Sequence, residues 1–182
     1  MKELSLNILD ITENSVKAKA SLVEITITES EQALTIRISD NGCGMTEQTL
    51  ESVRNPFYTT RTTRKVGMGI PLLQIAAEQA GGSLGIESRH IDSFPDTHGT
   101  AVTASFRKDH IDFTPLGDTV STLITLIQGH PEVDFLYIHR IGDREISLDT
   151  RQLREVLDDV PLDTFEVLLW IRENLEEQYQ GI

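Results

Sequence analysis

Asp10 and Asn14 stand four residues apart in a stretch, residues 4 to 19, whose apolar positions Leu4, Ile8 and Ile11 recur at helical spacing. At about 100° per residue, Asn7, Asp10, Asn14 and Lys17 fall in one narrow stripe beside the apolar one. A carboxylate and an amide oxygen one turn apart suit a hydrated magnesium ion next to a polarised water. Hard oxygens hold the metal, and the carboxylate orients or deprotonates a nucleophile. A solvated helix face has the same spacing, so the stripe gains meaning from what accompanies it. Its companion is Asp40-Asn41-Gly42-Cys43-Gly44-Met45, a carboxylate ending an alternating segment and followed by two glycines in three positions. That suits a turn holding adenine, although Asp-Asn-Gly is also ordinary turn chemistry.

Two alternating segments, residues 22 to 29 and the Leu34, Ile36, Ile38 repeat, predict a strand pair leading into the glycine turn. Thr46, Glu47 and Thr49 predict a capped short helix to about Val53. A Thr-, Arg- and Gly-rich loop from Arg54 to Gly69 precedes a helix that Gly81-Gly82 stops. Strands at 83 to 89 and 99 to 107 then bracket a polar hairpin loop. The expected architecture is α+β, a two-layer α/β sandwich over residues 1–109. Beyond a seam at Phe113-Thr114-Pro115-Leu116-Gly117, residues 110–182 predict a small α/β module. It has a helix at 119 to 128, strands at 133 to 140 and 144 to 149, and helices near 150 to 158 and 163 to 179, the last capped by Asp163.

A chain of 182 residues holds one good core, or a domain of about 100 residues with an appendage. No apolar run approaches a membrane span and the start lacks a signal-peptide layout, which reads as a cytoplasmic chain. Cys43 is the single cysteine, excluding an internal disulfide or a cysteine-based zinc site; a small space-filler between two glycines is its expected role. The formal charge is −13, of which −3 falls up to Asp109 and −10 beyond it. An acidic tail repels nucleic acid and most membranes and leaves protein partners as the expected contacts. Trp170 and Tyr179 are expected to serve as core or homodimer contacts, and the tail as a docking or dimerisation module.

Asp10-x-x-x-Asn14, Asp40-x-Gly42-x-Gly44, Asn55-Pro56-Phe57-Tyr58-Thr59-Thr60, Gly67-x-Gly69 and Gly99-Thr100 resemble, in order, the N, G1, F, G2 and G3 boxes of the GHKL ATP-binding family. That family comprises DNA gyrase, a heat-shock chaperone, histidine kinases and MutL-type repair ATPases. The resemblance spans roughly residues 4 to 107 and is nearest to the ATP-binding domain of bacterial histidine kinases. It implies the Bergerat ATP-binding fold, with ATP and Mg²⁺ as cofactors. By it, Asn14 would bind the Mg²⁺ that bridges the phosphates, Lys17 would meet phosphate, and Asp40 would accept from the adenine amino group. Gly42 and Gly44 would admit the base to the backbone, with Met45 closing the box. Phe57 would pack at the root of a lid. Thr60 and Arg61 resemble the kinases' Thr-Lys, with arginine for lysine. Gly67 and Gly69, leading into a helix N-terminus, would face phosphate oxygens among Arg61, Arg64 and Lys65, and Thr100 would support the phosphate end.

Three departures qualify the implied activity. Asp10, the implied base, stands where the family has Glu or Asn, and its shorter reach implies slow hydrolysis. Pro71 replaces a lid glycine and implies a stiffer lid edge. A helical hairpin with a phosphoacceptor histidine is not expected ahead of the N-box helix, and His90, His98, His110, His130 and His139 read as surface or structural. The expected function is phosphoryl transfer to a partner protein or slow ATP hydrolysis, in signal transduction, with a non-catalytic nucleotide sensor as the alternative. No resemblance to a transducer or receiver domain extends over residues 111 to 182.

Overall fold

The computed structural model describes residues 3–54 and 68–182. The chain runs α1 (Leu4–Lys17), β1 (Leu22–Glu29), β2 (Ala33–Asp40), α2 (Glu47–Arg54), α3 (Gly69–Gln79), β3 (Ser83–Arg89), β4 (Gly99–Arg107), α4 (Thr119–Gly129), β5 (Asp134–Ile141), β6 (Arg144–Asp149), α5 (Thr150–Leu157) and α6 (Phe165–Gln180). The strands form one six-stranded sheet in the order β3-β4-β2-β1-β5-β6. Neighbours are antiparallel except β1 and β5, which run parallel.

Period-two alternation sets the sheet's inner face. Ile25 pairs with Ile38 and with Tyr137, Ile38 pairs with Val102, and all four are buried. Helix α1 turns Leu4, Ile8 and Ile11 into the same core, between α3 and α4, while α6 packs against α4 and β6. Each such side chain, once buried, contributes roughly 1.5–3 kcal/mol relative to exposure. Helix α1 has no side-chain cap; instead Pro115 and Leu116 carbonyls accept from the Leu4 and Ser5 N–H groups at 2.9 and 2.8 Å. The seam between front and tail therefore satisfies donors that a helix start leaves orphaned.

The tail builds no sheet of its own. Through the parallel β1–β5 register it extends the front sheet, and one hydrophobic cluster includes residues from both parts. The boundary expected at residue 109 thus falls between β4 and α4 of a continuous sheet. A half-buried polar chain crosses it: His139 Nε2 donates to Glu29 at 3.0 Å, Tyr179 donates to His139 Nδ1 at 2.7 Å, and Lys108 donates to Glu29 at 2.8 Å. The Tyr137 hydroxyl lies 2.7 Å from that of Tyr179 and 3.0 Å from Thr119 Oγ1. His139 is thus structural, as expected, and Tyr179 is a core contact, whereas half of Trp170 is exposed (50%).

Two local expectations are corrected. Thr164, not Asp163, is the N-cap residue of α6, with its hydroxyl donating to the Pro161 carbonyl. Cys43 is exposed instead of filling space between its glycines, because the turn faces it outward while Gly42 is buried. Among the described residues no helix is long and apolar enough to cross a membrane.

Candidate nucleotide site

Asp40, the last residue of β2, is the hub. Its Oδ1 accepts from the Gly42 N–H at 2.8 Å and the Thr100 N–H at 3.3 Å, and its Oδ2 accepts from the Ser15 hydroxyl at 2.6 Å. An ionised carboxylate offers about four lone-pair sites, so among the described residues one on Oδ2 stays unclaimed. The three donors fix the carboxylate's orientation from three elements: the turn, β4 and α1.

A row across the sheet continues the support. Ser88, Thr100 and Asp40 occupy matching positions on β3, β4 and β2. Ser88 Oγ lies 2.8 Å from Thr100 Oγ1 and accepts from the Met45 N–H at 2.8 Å, which ties the glycine turn to the strands. The turn is clamped on its other side by the Cys43 N–H donating to the Ala18 carbonyl at 2.9 Å and by a contact between His98 Nδ1 and the Gly42 carbonyl.

The glycines also answer to the chain itself. Gly44 has φ +70°, and a Cβ there would stand 1.9 Å from the Arg89 carbonyl oxygen. Gly42 is packed on Ala18, with a hypothetical Cβ 2.9 Å from the Ala18 Cβ. Both positions therefore exclude a side chain before any ligand is considered.

A cavity of about 220 Å³ opens in front of this frame. Asn14, Lys17, Asp40, Gly44, Met45 and Thr100 all line it, with Ile11, Ile38, Val53, Ile70 and Val102 as the apolar wall. An apolar slot with a few convergent polar groups is the usual form of a small-molecule site. Asp10 is exposed one turn from Asn14 and adjoins the start of α3, where a Cβ on Gly69 would lie 3.1 Å from that of Asp10. Pro71 sits in the first turn of α3, where its missing N–H costs little. Phe57, Thr60, Arg61 and Gly67 lie outside the described residues.

Sequence reading missed Ser15, Ser88 and His98. Ser88 was in principle traceable from strand register opposite Gly99-Thr100, whereas the Ser15 bond needs the packing of α1 on β2. Asn7, in the stripe but given no role, is 1% exposed, and neither of its amide atoms finds a partner among the described residues.

The donor set fits a hard cation only in part. Among the described residues no cluster of three or more His, Cys, Asp or Glu could hold a metal ion alone. Asn14 offers one oxygen ligand of the kind magnesium takes when phosphates and water complete its shell.

The family described as "Histidine kinase-, DNA gyrase B-, and HSP90-like ATPase" matches residues 2–110. Sporulation kinase A of Bacillus subtilis strain 168 is 30% identical over 110 residues, 59% of this chain and 16% of that protein. Sporulation kinase C of the same strain is 29% identical over 48% of this chain and 20% of its own length. The sensor histidine kinase ZraS of Escherichia coli O157:H7 is 26% identical over 44% and 18%. The chain thus spans a fifth or less of these kinases. In fold it resembles the N-terminal domain of a DNA repair protein (TM-score 0.55, 17% identity, 82% of this chain and 53% of that one). It also resembles the Aquifex aeolicus MutL ATPase domain complexed with ADP (TM-score 0.51, 17% identity, 99% and 70%). That last overlay includes the tail, where the sequence carried no such likeness. The match over residues 2–110 covers more than half of the chain, and with the site built around Asp40 and Asn14 it makes this protein a member of the histidine kinase-, gyrase- and HSP90-like ATPase family.

Proposed function

We propose that the chain binds ATP with Mg²⁺ in the cavity between α1 and the β2–β4 ends, and that it cleaves the γ-phosphate slowly or passes it to a partner protein. The observation that carries this reading is that Asp40 and Asn14, 26 positions apart in sequence, line one cavity.

In this reading the unclaimed lone pair of Asp40 accepts from the adenine amino group, while Ile38, Val53, Ile70 and Val102 cover the faces of the ring. Asn14 gives an amide oxygen to the metal and Lys17 a charge-assisted bond to phosphate. Bound Mg²⁺ would supply charge neutralisation along the phosphates. Asp10, exposed beside the α3 N-terminus, takes the proton from the attacking water or acceptor hydroxyl or imidazole. Phosphoryl transfer asks little covalent chemistry of a protein beyond such positioning. The kinase relatives support a protein acceptor, and Lys17 agrees with that branch.

Incubation with γ-labelled ATP, alone and with cell lysate, tests the reading. Label is expected in another protein or in free phosphate. Asp10→Asn should lower that rate about 10²–10⁴-fold while nucleotide affinity stays within about twofold. A variant that keeps full turnover excludes Asp10 as base; turnover absent from the wild type, with ATP bound, favours a nucleotide-gated sensor.

A further inference from the structure

Helices α5 and α6 leave an apolar groove uncovered. Leu153, Val156 and Leu157 of α5 and Val167 and Trp170 of α6 line it, with Glu166 on its lip, around a volume of about 440 Å³. Val156 is 84% exposed, and Phe165, at the start of α6, is 74% exposed. Single exposed apolar residues need no explanation, but a contiguous concave group that includes an aromatic ring marks a contact surface.

Charge around the groove decides what fits it. Glu166 lines the groove, Asp158, Asp159 and Asp163 lie in the short connection between the two helices and Glu173 lies on α6; these five are exposed, and none joins an ion pair among the described residues. The arginines of the two helices are already engaged: Arg151 with Asp149 at 2.8 Å, Arg154 with Asp134 at 2.7 Å, Arg172 with Glu176 at 3.6 Å. The rim is therefore a field of uncompensated carboxylates around an apolar floor. A second copy would set those carboxylates against their equals within the Debye length of about 8 Å. Nucleic acid and anionic membrane surfaces are repelled for the same reason.

We propose that this groove receives an amphipathic, lysine- or arginine-rich helix of another protein. Its apolar side chains fill the space between α5 and α6, and its cations meet the acidic rim. The surface lies at the β5–β6 side of the sheet, apart from the nucleotide cavity at the β2–β4 ends, so the inference stands without the nucleotide reading.

Trp170, the single tryptophan, reports on the groove directly. The probes are a tryptophan-free Leu/Lys peptide of about four helical turns, a scrambled peptide of the same composition without an apolar face, and a Leu/Glu counterpart. The Leu/Lys helix should shift Trp170 emission to the blue, saturably, and bind at least about tenfold more weakly when salt rises from about 0.1 M to about 1 M. Val156→Asp, a change at an exposed position, should weaken it at least tenfold, and Asp159→Lys with Glu166→Lys should turn the preference towards the Leu/Glu peptide. No Trp170 response, or an equal response to the scrambled or acidic peptide, overturns the proposal. So does concentration-dependent self-association of the free chain that Val156→Asp abolishes, since that gives the groove to a second copy.

Discussion

At the scale of single residues, the site turns on how few freedoms Asp40 retains. Three of its own chain's donors hold it, so the remaining acceptor direction is fixed before a ligand arrives and little ordering cost remains for binding. Asp40→Asn keeps the shape but replaces a charged acceptor by an amide. A hydrogen bond to a charged group is worth about 1.5–3 kcal/mol, so ATP affinity should fall roughly tenfold to a hundredfold, and the discrimination against GTP should shrink in competition binding. Equal ATP affinity in the variant would remove Asp40 from recognition. Gly44→Ala should act through the backbone. With φ at +70° and the Arg89 carbonyl 1.9 Å from the new methyl, the turn must move off β3. The expected cost is at least about 1–3 kcal/mol, read by urea denaturation, together with loss of nucleotide binding.

At the scale of elements, the strands were legible because alternation is local. Residues 22 to 29, 83 to 89 and 99 to 107 are strands at the bounds their pattern predicts. The helix from Leu4 was equally legible, but not what caps it, since the Pro115 and Leu116 carbonyls come from more than a hundred residues away. The same holds for the β1–β5 pair. Parallel neighbours are joined by a long crossover, so nothing near β1 records that β5 will lie beside it. That Asn14, Asp40 and Thr100 meet around one cavity was legible from the order of the motifs they belong to, while Asp10 stands exposed one turn from Asn14. Ser15 and Ser88 escaped because serine is common at both positions and only packing gives them a partner. The capping seam carries its own prediction. Gly117 has φ +81°, with Glu3 against the space a side chain would enter, so Gly117→Ala should lower stability by roughly 1–3 kcal/mol. Because those carbonyls cap α1, amide exchange in its first turn should accelerate with it; unchanged protection there would detach the seam from the helix.

At the scale of the whole molecule, the parallel β1–β5 pair joins front and tail into one sheet, and the Glu29–His139–Tyr179 chain ties side chains across that junction. The His139 hydrogen bond, ahead of those from Lys108, holds the Glu29 carboxyl down from its ordinary 4.5 to about 2, against the opposing effect of burial. Burial pushes the Tyr137 phenol up, which keeps its hydroxyl protonated and able to donate at neutral pH. A depressed carboxyl stabilises the fold above its unfolded value and loses that contribution as the pH falls. The Glu29 contribution should therefore be complete above about pH 4.5 and decay towards pH 2. Glu29→Gln should be less stable than the wild type at pH 7 by roughly 1–3 kcal/mol, with the gap narrowing below about pH 4.5 and closing only towards pH 2 in denaturant titrations; a gap independent of pH would deny the carboxylate its role. In the proposed function one cavity, shared by α1 and the sheet, reads a purine at one end and a metal-bound phosphate at the other. Calorimetric titration of ATP, with and without Mg²⁺, into the wild type and Asn14→Ala tests it most directly. One-site binding that Mg²⁺ tightens is expected in the wild type, and weak, Mg²⁺-indifferent binding in the variant. Absence of heat from ATP at saturating Mg²⁺, or identical Mg²⁺ dependence in both proteins, would contradict it.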